Sequence, residues 1–319
     1  MTVTYQESKF MSPIVISKMH FGLALACVAV VAEPALWPQP ASVQLFGPTL
    51  SLDPKFFVFS TTSASALLAR GIARYQKLTF LSAAPQWWPP QPVPAVALAR
   101  VVLFVGTDSE ALTLSTSEAY NFSLPSAGGE GSLFADTVFG ALRGLETFSQ
   151  MVGFVGGAFL VNAAAVADAP RFPHRGALVD TSRHFLALPA LRAFVDGLSY
   201  TKMNVLHWHI VDSESFPYVS TAFPNLSAAG AYAPAERHTY SQADVAALVA
   251  YAKDRGVRVV VEFDTPGHSS AWGLGQPNLL TPCYNATGPD GTFGRASAST
   301  LSRSHSQRAL PTRAQFLTP

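Results

Sequence analysis

From Arg175 to Tyr218 the chain reads as strand, one-sided helix, strand. Gly176 to Ser182 is a short apolar run that ends in Asp180, Ser182, Arg183 and His184. Val205 to Asp212 is a second run, ending in Asp212, Ser213 and Glu214. Between them Leu191, Phe194, Val195 and Leu198 recur at i, i+3, i+4, i+7, which lays one apolar stripe along a helix. Apolar strands joined by a one-sided helix predict a parallel sheet, whose strands are covered on both faces. The unit then repeats. Ser241 with Asp244 predicts a capped helix start, and Val245, Leu248, Val249 and Ala252 supply the stripe. Lys253, Arg255 and Gly256 close that helix, and a third strand, Val257 to Asp264, runs into Thr265-Pro266-Gly267-His268. In each repeat the polar groups gather at the C-terminal end of the strand, the face on which β/α barrels carry their sites.

Residues 35–170 show a different pattern, that of a small α+β domain. Phe56 to Ser60 and Val101 to Val105 are strand candidates, and Leu68, Ile72 and Tyr75 suggest a helix. Ala84 to Pro94 is dense in proline and predicts a loop. Tyr120, Phe122 and Leu124 alternate with polar neighbours as a half-buried strand does, and Val138, Leu142, Leu145 and Phe148 mark another helix stripe. This part holds no catalytic constellation, and packing against the barrel is its expected role.

Composition narrows the function classes. The 319 residues are 49% apolar with a formal net charge of +1, enough for two cores and too little charge for a nucleic-acid footprint. Phe21 to Ala32 is an apolar run of signal-peptide length, short for a spanning helix, so residues 1–32 read as a signal peptide or signal anchor. Met19 sits directly before that run, so the true start can lie there. Asn121-Phe122-Ser123, Asn225-Leu226-Ser227 and Asn285-Ala286-Thr287 are glycosylation sequons and agree with export. Removal of Cys27 with the leader leaves Cys283 unpaired in the mature chain. Residues 295–319, rich in Ser and Arg, have no sustained apolar period and read as a disordered or non-homologous tail.

Four ordered segments carry a family resemblance: RFPHRGALVDTSRHFL, KMNVLHWHIVDSESFPY, RVVVEFDTPGHSSAWG and NLLTPCY with GTFG. Together with ALRGLETFSQMV upstream, they closely resemble the family 20 glycoside hydrolases, the β-N-acetylhexosaminidases, over roughly residues 35–294. The resemblance implies a (β/α)8 TIM barrel, incomplete here at about three βα units, preceded by the α+β domain. Residues 171–294 would be the partial catalytic domain. It implies removal of terminal N-acetylhexosamine from glycans or glycoconjugates, with the substrate's own acetamido oxygen as nucleophile. No cofactor and no metal are implied. The compartment would be lysosomal, vacuolar, extracellular or membrane-anchored, and a homo- or heterodimer stays open. Cys283 matches a cysteine that is disulfide-bonded in the family, and no partner for it follows in this sequence.

Residue by residue, Arg183 matches the family's sugar-binding arginine, whose planar fork of donors suits vicinal hydroxyls. The alternative is a structural ion pair with Asp180 or another barrel carboxylate. Asp212 and His268 match an aspartate–histidine pair that supports the acid, the carboxylate fixing the imidazole tautomer. Asp264 matches a pocket carboxylate, and serves equally as a turn former for Thr265 to Gly267. His207 and His209 point to one face and, with Asp212 and His268, imitate a metal site. A hydrolytic metal would need three ligands around an open position, and no close-spaced signature accompanies them. Trp208 should face the helices.

The family's Asp-Glu pair, general acid and acetamide orienter, belongs on the next strand and does not occur in these 319 residues: Asp290 lies in a turn-like GPDGT, and no Glu follows Glu262. The sequence therefore reads as the N-terminal portion of an exported or lysosomal hexosaminidase, truncated by a gene-model error. A non-catalytic sugar- or partner-binding remnant of the same fold is the alternative, and a metal-dependent hydrolase using the His-Trp-His strand a third. The export reading predicts that the secreted chain begins near Glu33. N-terminal sequencing that finds Met1 at the start of secreted protein would refute cleavage.

Overall fold

A computed structural model describes residues 35–81, 93–233, 236 and 238–280. The predicted proline-rich loop, residues 1–32, Cys283, Asn285 and the tail lie wholly or largely outside these residues. The N-terminal part runs β1 (Ser42–Leu52), β2 (Val58–Thr61), α1 (Ala66–Leu78), β3 (Leu98–Val105), β4 (Tyr120–Leu124), β5 (Gly129–Ala135), α2 (Val138–Met151), β6 (Gly153–Val155) and β7 (Ala158–Asp168). Its sheet has the order β1-β7-β4-β5-β3-β2, with β6 paired to β7. β2, β3 and β5 run parallel, and the remaining pairings are antiparallel. In β4 Tyr120, Phe122 and Leu124 are buried while Asn121 and Ser123 are exposed, the alternation read from the sequence. The strand expected at Phe56 begins later: Phe56 itself is 76% exposed in the preceding turn.

α2 is buried on nearly every side. Two glycines let it lie close to the sheet: a Cβ on Gly140 would meet the Ala119 carbonyl oxygen at 2.4 Å, and one on Gly144 would meet Leu133 at 2.7 Å. A helix this enclosed has no face left for solvated charge. Yet Arg143 and Glu146 are among its buried residues, so each must find a partner inside.

The second part runs β8 (Gly176–Asp180), α3 (Leu188–Tyr200), β9 (Val205–Val211), α4 (Asn225–Gly230), α5 (Gln242–Lys253), β10 (Arg258–Phe263) and α6 (Ser270–Gly275). The strands lie in the order β10-β9-β8, parallel throughout, as the repeated βα pattern predicts for consecutive strands of a barrel. The capping box of α5 is formed: Ser241 Oγ accepts from the Asp244 N–H at 3.1 Å, and Asp244 accepts from the Ser241 N–H at 2.9 Å. The buried faces of α3 and α5 are narrower than their apolar stripes. Leu191, Val195, Leu198, Leu248 and Ala252 are buried, whereas Phe194 and Val249 sit at the stripe edges and are exposed. Trp208 packs among the helices, its indole N–H donating to Thr181 Oγ1 at 2.9 Å.

The two parts meet at a buried ionic junction. Arg143 donates to Glu118 at 2.9 Å, to the Gly256 carbonyl at 2.8 Å, and to the carbonyls of Arg255 and Met203 at 3.3 Å. Glu118 also accepts from Arg175 and, at 2.7 Å, from Asn204. Beside them Lys202 donates to Asp168 at 3.0 Å and to the Tyr120 hydroxyl at 2.8 Å. Burial works against the charge of Glu118, but Arg143 and Arg175 outweigh it and hold its pKa below the ordinary 4.5. Its contribution is therefore complete above pH 4.5 and is lost as the pH falls below that towards the lowered value. Glu118→Ala should cost about 3–5 kcal/mol in urea unfolding at pH 7, because two arginines lose a buried counter-charge. A loss under about 1 kcal/mol would show that the junction does not hold the parts together.

Candidate active site

The C-terminal ends of β8, β9 and β10 converge on one cluster. At the last residue of β8, Asp180 Oδ1 accepts the N–H groups of Ser182 at 2.9 Å and Arg183 at 3.1 Å, a local turn that aims the Arg183 side chain over the sheet end. Its guanidinium then donates to Asp180 at 2.5 Å, to Asp212 at 2.9 Å and to Glu214 at 2.9 Å. The structural ion pair and the position at the strand end thus coexist in one residue.

Asp212 follows β9 and its side chain is only 1% exposed. One oxygen accepts from the Ser213 N–H at 2.6 Å and lies 3.1 Å from His268 Nδ1; the other lies 2.6 Å from His209 Nε2. Burial disfavours its charge, but these partners together with Arg183 outweigh that cost and hold its pKa below the ordinary 3.8. The predicted Asp212–His268 contact is thus present in the geometry. His268 reaches it from the turn after β10 with φ at 54°, a left-handed conformation that costs a non-glycine residue about 1–2 kcal/mol. Asp264 has its carboxylate in the same cluster: the ligating atoms of His209, Asp212 and Asp264 lie within 4.8 Å of one another. Among the described residues its side chain accepts none of the Thr265 to Gly267 N–H groups, so the turn-former alternative has no bond to rest on.

His207 and His209 do share a face, and what they face is Glu262. The β9–β10 register sets Glu262 directly beside His209. Its carboxylate takes His207 and, at 3.1 Å, His209 Nδ1. His209 therefore has a carboxylate at each ring nitrogen. Burial lowers its affinity for the proton, but Glu262 and Asp212 more than compensate, so its pKa stands above the ordinary 6.5. Both ring nitrogens of His209 are thus engaged by carboxylates from adjacent strands.

Glu262 is the member that sequence reasoning passed over. The available clue was a lone carboxylate inside an otherwise apolar strand of a parallel sheet, where a charge needs a partner in register on the neighbouring strand. Glu214 was visible as a polar strand end, but its bond to Arg183 was not. Two open depressions lie elsewhere. One, about 630 Å³, is on the outer face of the first sheet, and one, about 330 Å³, is at the ionic junction. Among the described residues only three strands wall the cluster, which leaves it an open shelf.

Comparison with known proteins places this arrangement. The family model described as "Glycosyl hydrolase family 20, catalytic domain" matches residues 172–311, and "beta-acetyl hexosaminidase like" matches residues 36–151. The chain is 41% identical over 288 residues to a beta-hexosaminidase subunit alpha of Bos taurus, covering 87% of this chain and 54% of that protein. It is 42% identical over 288 residues to a beta-hexosaminidase subunit beta of Mus musculus, covering 85% and 53%. The chain thus spans about half the length of the curated relatives it matches. Among solved structures, a Flavobacterium johnsoniae chitobiase superposes with a TM-score of 0.64 at 26% identity, over 77% of this chain and 37% of that one. A family 20 β-N-acetylhexosaminidase from Streptomyces coelicolor A3(2) shares the fold with a TM-score of 0.62 at 23% identity, over 85% and 55%. The α+β part, three parallel strands with their polar C-terminal ends, and two adjoining family matches make this chain a member of glycosyl hydrolase family 20.

Proposed function

We propose that the shelf at the ends of β8–β10 is the sugar-binding half of a β-N-acetylhexosaminidase site. The observation that carries this reading is Arg183, held at the mouth by three carboxylates beside the Asp212–His268 contact. A guanidinium has five N–H donors, and three bonds to carboxylates leave others to meet sugar hydroxyls. Asp264 adds an acceptor on the same side. In the retaining, substrate-assisted reaction the acetamido oxygen attacks the anomeric carbon while an acid protonates the leaving oxygen. Asp212 and His268 would act as positioning residues for that acid.

The acid itself is not among the residues of the shelf. Glu262 is close, but burial is outweighed there by His209 and His207, which keep its pKa below the ordinary 4.5. It enters as a carboxylate, unsuited to donate a proton at neutral pH. The Asp-Glu pair implied by the resemblance would have to come from a further strand. Residues 1–32 would direct the chain into the secretory pathway, ahead of an α+β domain over 35–170 and the partial barrel over 171–294. The relatives named as alpha and beta subunits support a homo- or heterodimeric assembly. A sugar-binding protein without hydrolysis is the second reading, favoured by the lowered pKa values of Asp180, Asp212 and Glu262.

Sugar binding, turnover and pH dependence test the proposal. The 319-residue polypeptide should bind N-acetylglucosamine in ligand-observed NMR, lose binding on Arg183→Ala, and hydrolyse an aryl N-acetylglucosaminide at background. In a polypeptide that includes the acid, Arg183→Ala should lower kcat/KM roughly 10²–10⁴-fold, the loss of two charge-assisted bonds at about 1.5–3 kcal/mol each. Enzyme-like turnover by the 319-residue chain would sink the missing-acid account, and absence of sugar binding would sink the site.

The last concerns pH. His209 has a raised pKa, so its contribution is complete below 6.5 and is lost as the pH rises through the raised value. Asp212 and Glu262 have lowered values, so theirs is complete above 3.8 and 4.5 and is lost as the pH falls. The stability difference between the wild type and His209→Gln should therefore peak between pH 4.5 and 6.5. A difference that keeps growing above pH 7 would contradict the raised pKa of His209.

A further inference from the structure

The outer face of the N-terminal sheet carries a feature that the hexosaminidase reading does not use. β4 presents Asn121 and Ser123 outward, with Phe122 between them buried at 1% exposure. The strand register puts Ala167 on one side of Asn121 and Phe134 on the other. Phe134 is in turn paired with Phe104, and the two rings stack at a centroid distance of 4.8 Å and 14° between planes. Both are open to solvent, at 45% and 41%. Neighbouring positions on this face mix Ser123, Ser132 and the Arg100–Glu130 ion pair with Val102, Ala165 and Ala167. Two stacked phenylalanines on a wet sheet face leave apolar area in water that calls for a cover.

We propose that Asn121 carries an N-linked glycan whose first N-acetylglucosamine lies on the Phe134–Phe104 pair. The inference rests on the export reading and is independent of hydrolysis. Cross-strand neighbours stand about 4.5–5.5 Å apart at Cβ, so a sugar on the Asn121 carboxamide is within reach of the Phe134 ring. Ala167 leaves the opposite side clear. The C–H face of a pyranose matches the electron-rich face of an aromatic ring. Among the described residues the Asn121 carboxamide makes no hydrogen bond that a sugar would break. Asn225 differs: it opens the short α4, and its sequon hydroxyl on Ser227 is buried and bonded to the Pro224 carbonyl at 3.3 Å.

The modification needs a lipid-pyrophosphate-linked oligosaccharide as co-substrate. Asn121 Nδ2 forms a bond to the anomeric carbon of the first sugar and loses a proton. The bond from that carbon to the pyrophosphate oxygen breaks, and the lipid pyrophosphate leaves with the electron pair. No oxidation or reduction is involved.

The test uses the full chain behind an added cleavable leader in insect cells, so that export is supplied and no activity is read. Glycopeptide mass spectrometry should find Asn121 occupied in most molecules. Asn121→Gln should lower Tm by about 2–4 °C and raise binding of an apolar dye. In a Phe104→Thr/Phe134→Thr background the same substitution should leave Tm unchanged, because the sugar has lost its bed. Secreted protein with Asn121 unmodified would overturn the proposal, whether or not Asn225 and Asn285 are occupied. An equal Tm loss in both backgrounds would overturn the stacking. Concentration-dependent dimers that Phe104→Thr abolishes, with Asn121 bare, would assign the face to a second copy and also overturn it.

Discussion

Arg143 sets the relation between the two halves of this chain. It projects from a helix with no solvated face, and its guanidinium spends itself on Glu118 and on three carbonyls from the loops that close α3 and α5. Those carbonyls end helices or precede strands, where backbone acceptors lack helical partners. The sheet thus reads the barrel at the N-terminal ends of β9 and β10, the end opposite the polar cluster. Support sits at one end of the strands and chemistry at the other, the division known from complete barrels.

At the chemical end the electrostatics are crowded. Asp180, Asp212, Glu214, Glu262 and Asp264 gather within a few residues of three strand ends, against Arg183 and the histidines. Like charges this close repel, so the cluster depends on cations being shared. Arg183 bridges three carboxylates, and His209 is wedged between two on adjacent strands. A planar fork with five donors is not exhausted by three bonds, so Arg183 keeps donor capacity beyond its ion pairs.

Much of this was legible from residue pattern. The strands β8, β9 and β10, their parallel order and the capped start of α5 followed from apolar periodicity and Ser241–Asp244. Arg183, Asp212, Asp264 and His268 were singled out by resemblance, and the coordinates bring them together. Less legible were β1 and β7. The first is interrupted by Gly47 and Pro48, which lie at an irregularity in the β1–β7 pairing. The second carries five alanines in eleven residues, whose strand propensity is low until sheet neighbours and α2 cover them. Glu262 was hidden because its meaning depends on register: only pairing with His209 turns a charged residue in an apolar strand into a member of the site. The junction escaped notice for a related reason, since Glu118, Arg143, Arg175 and Asn204 are scattered in sequence and meet only through packing.

The left-handed backbone of His268 bears on how this protein would change over generations. Glycine adopts that conformation without the steric cost an imidazole residue bears. Selection for stability alone would therefore favour glycine at 268, and only a use for the ring opposes it. In a lineage that abandoned the site, the position should drift to glycine or asparagine sooner than Arg183, whose loss would leave three carboxylates unshared. Position 268 is thus a molecular clock for disuse, readable without an assay.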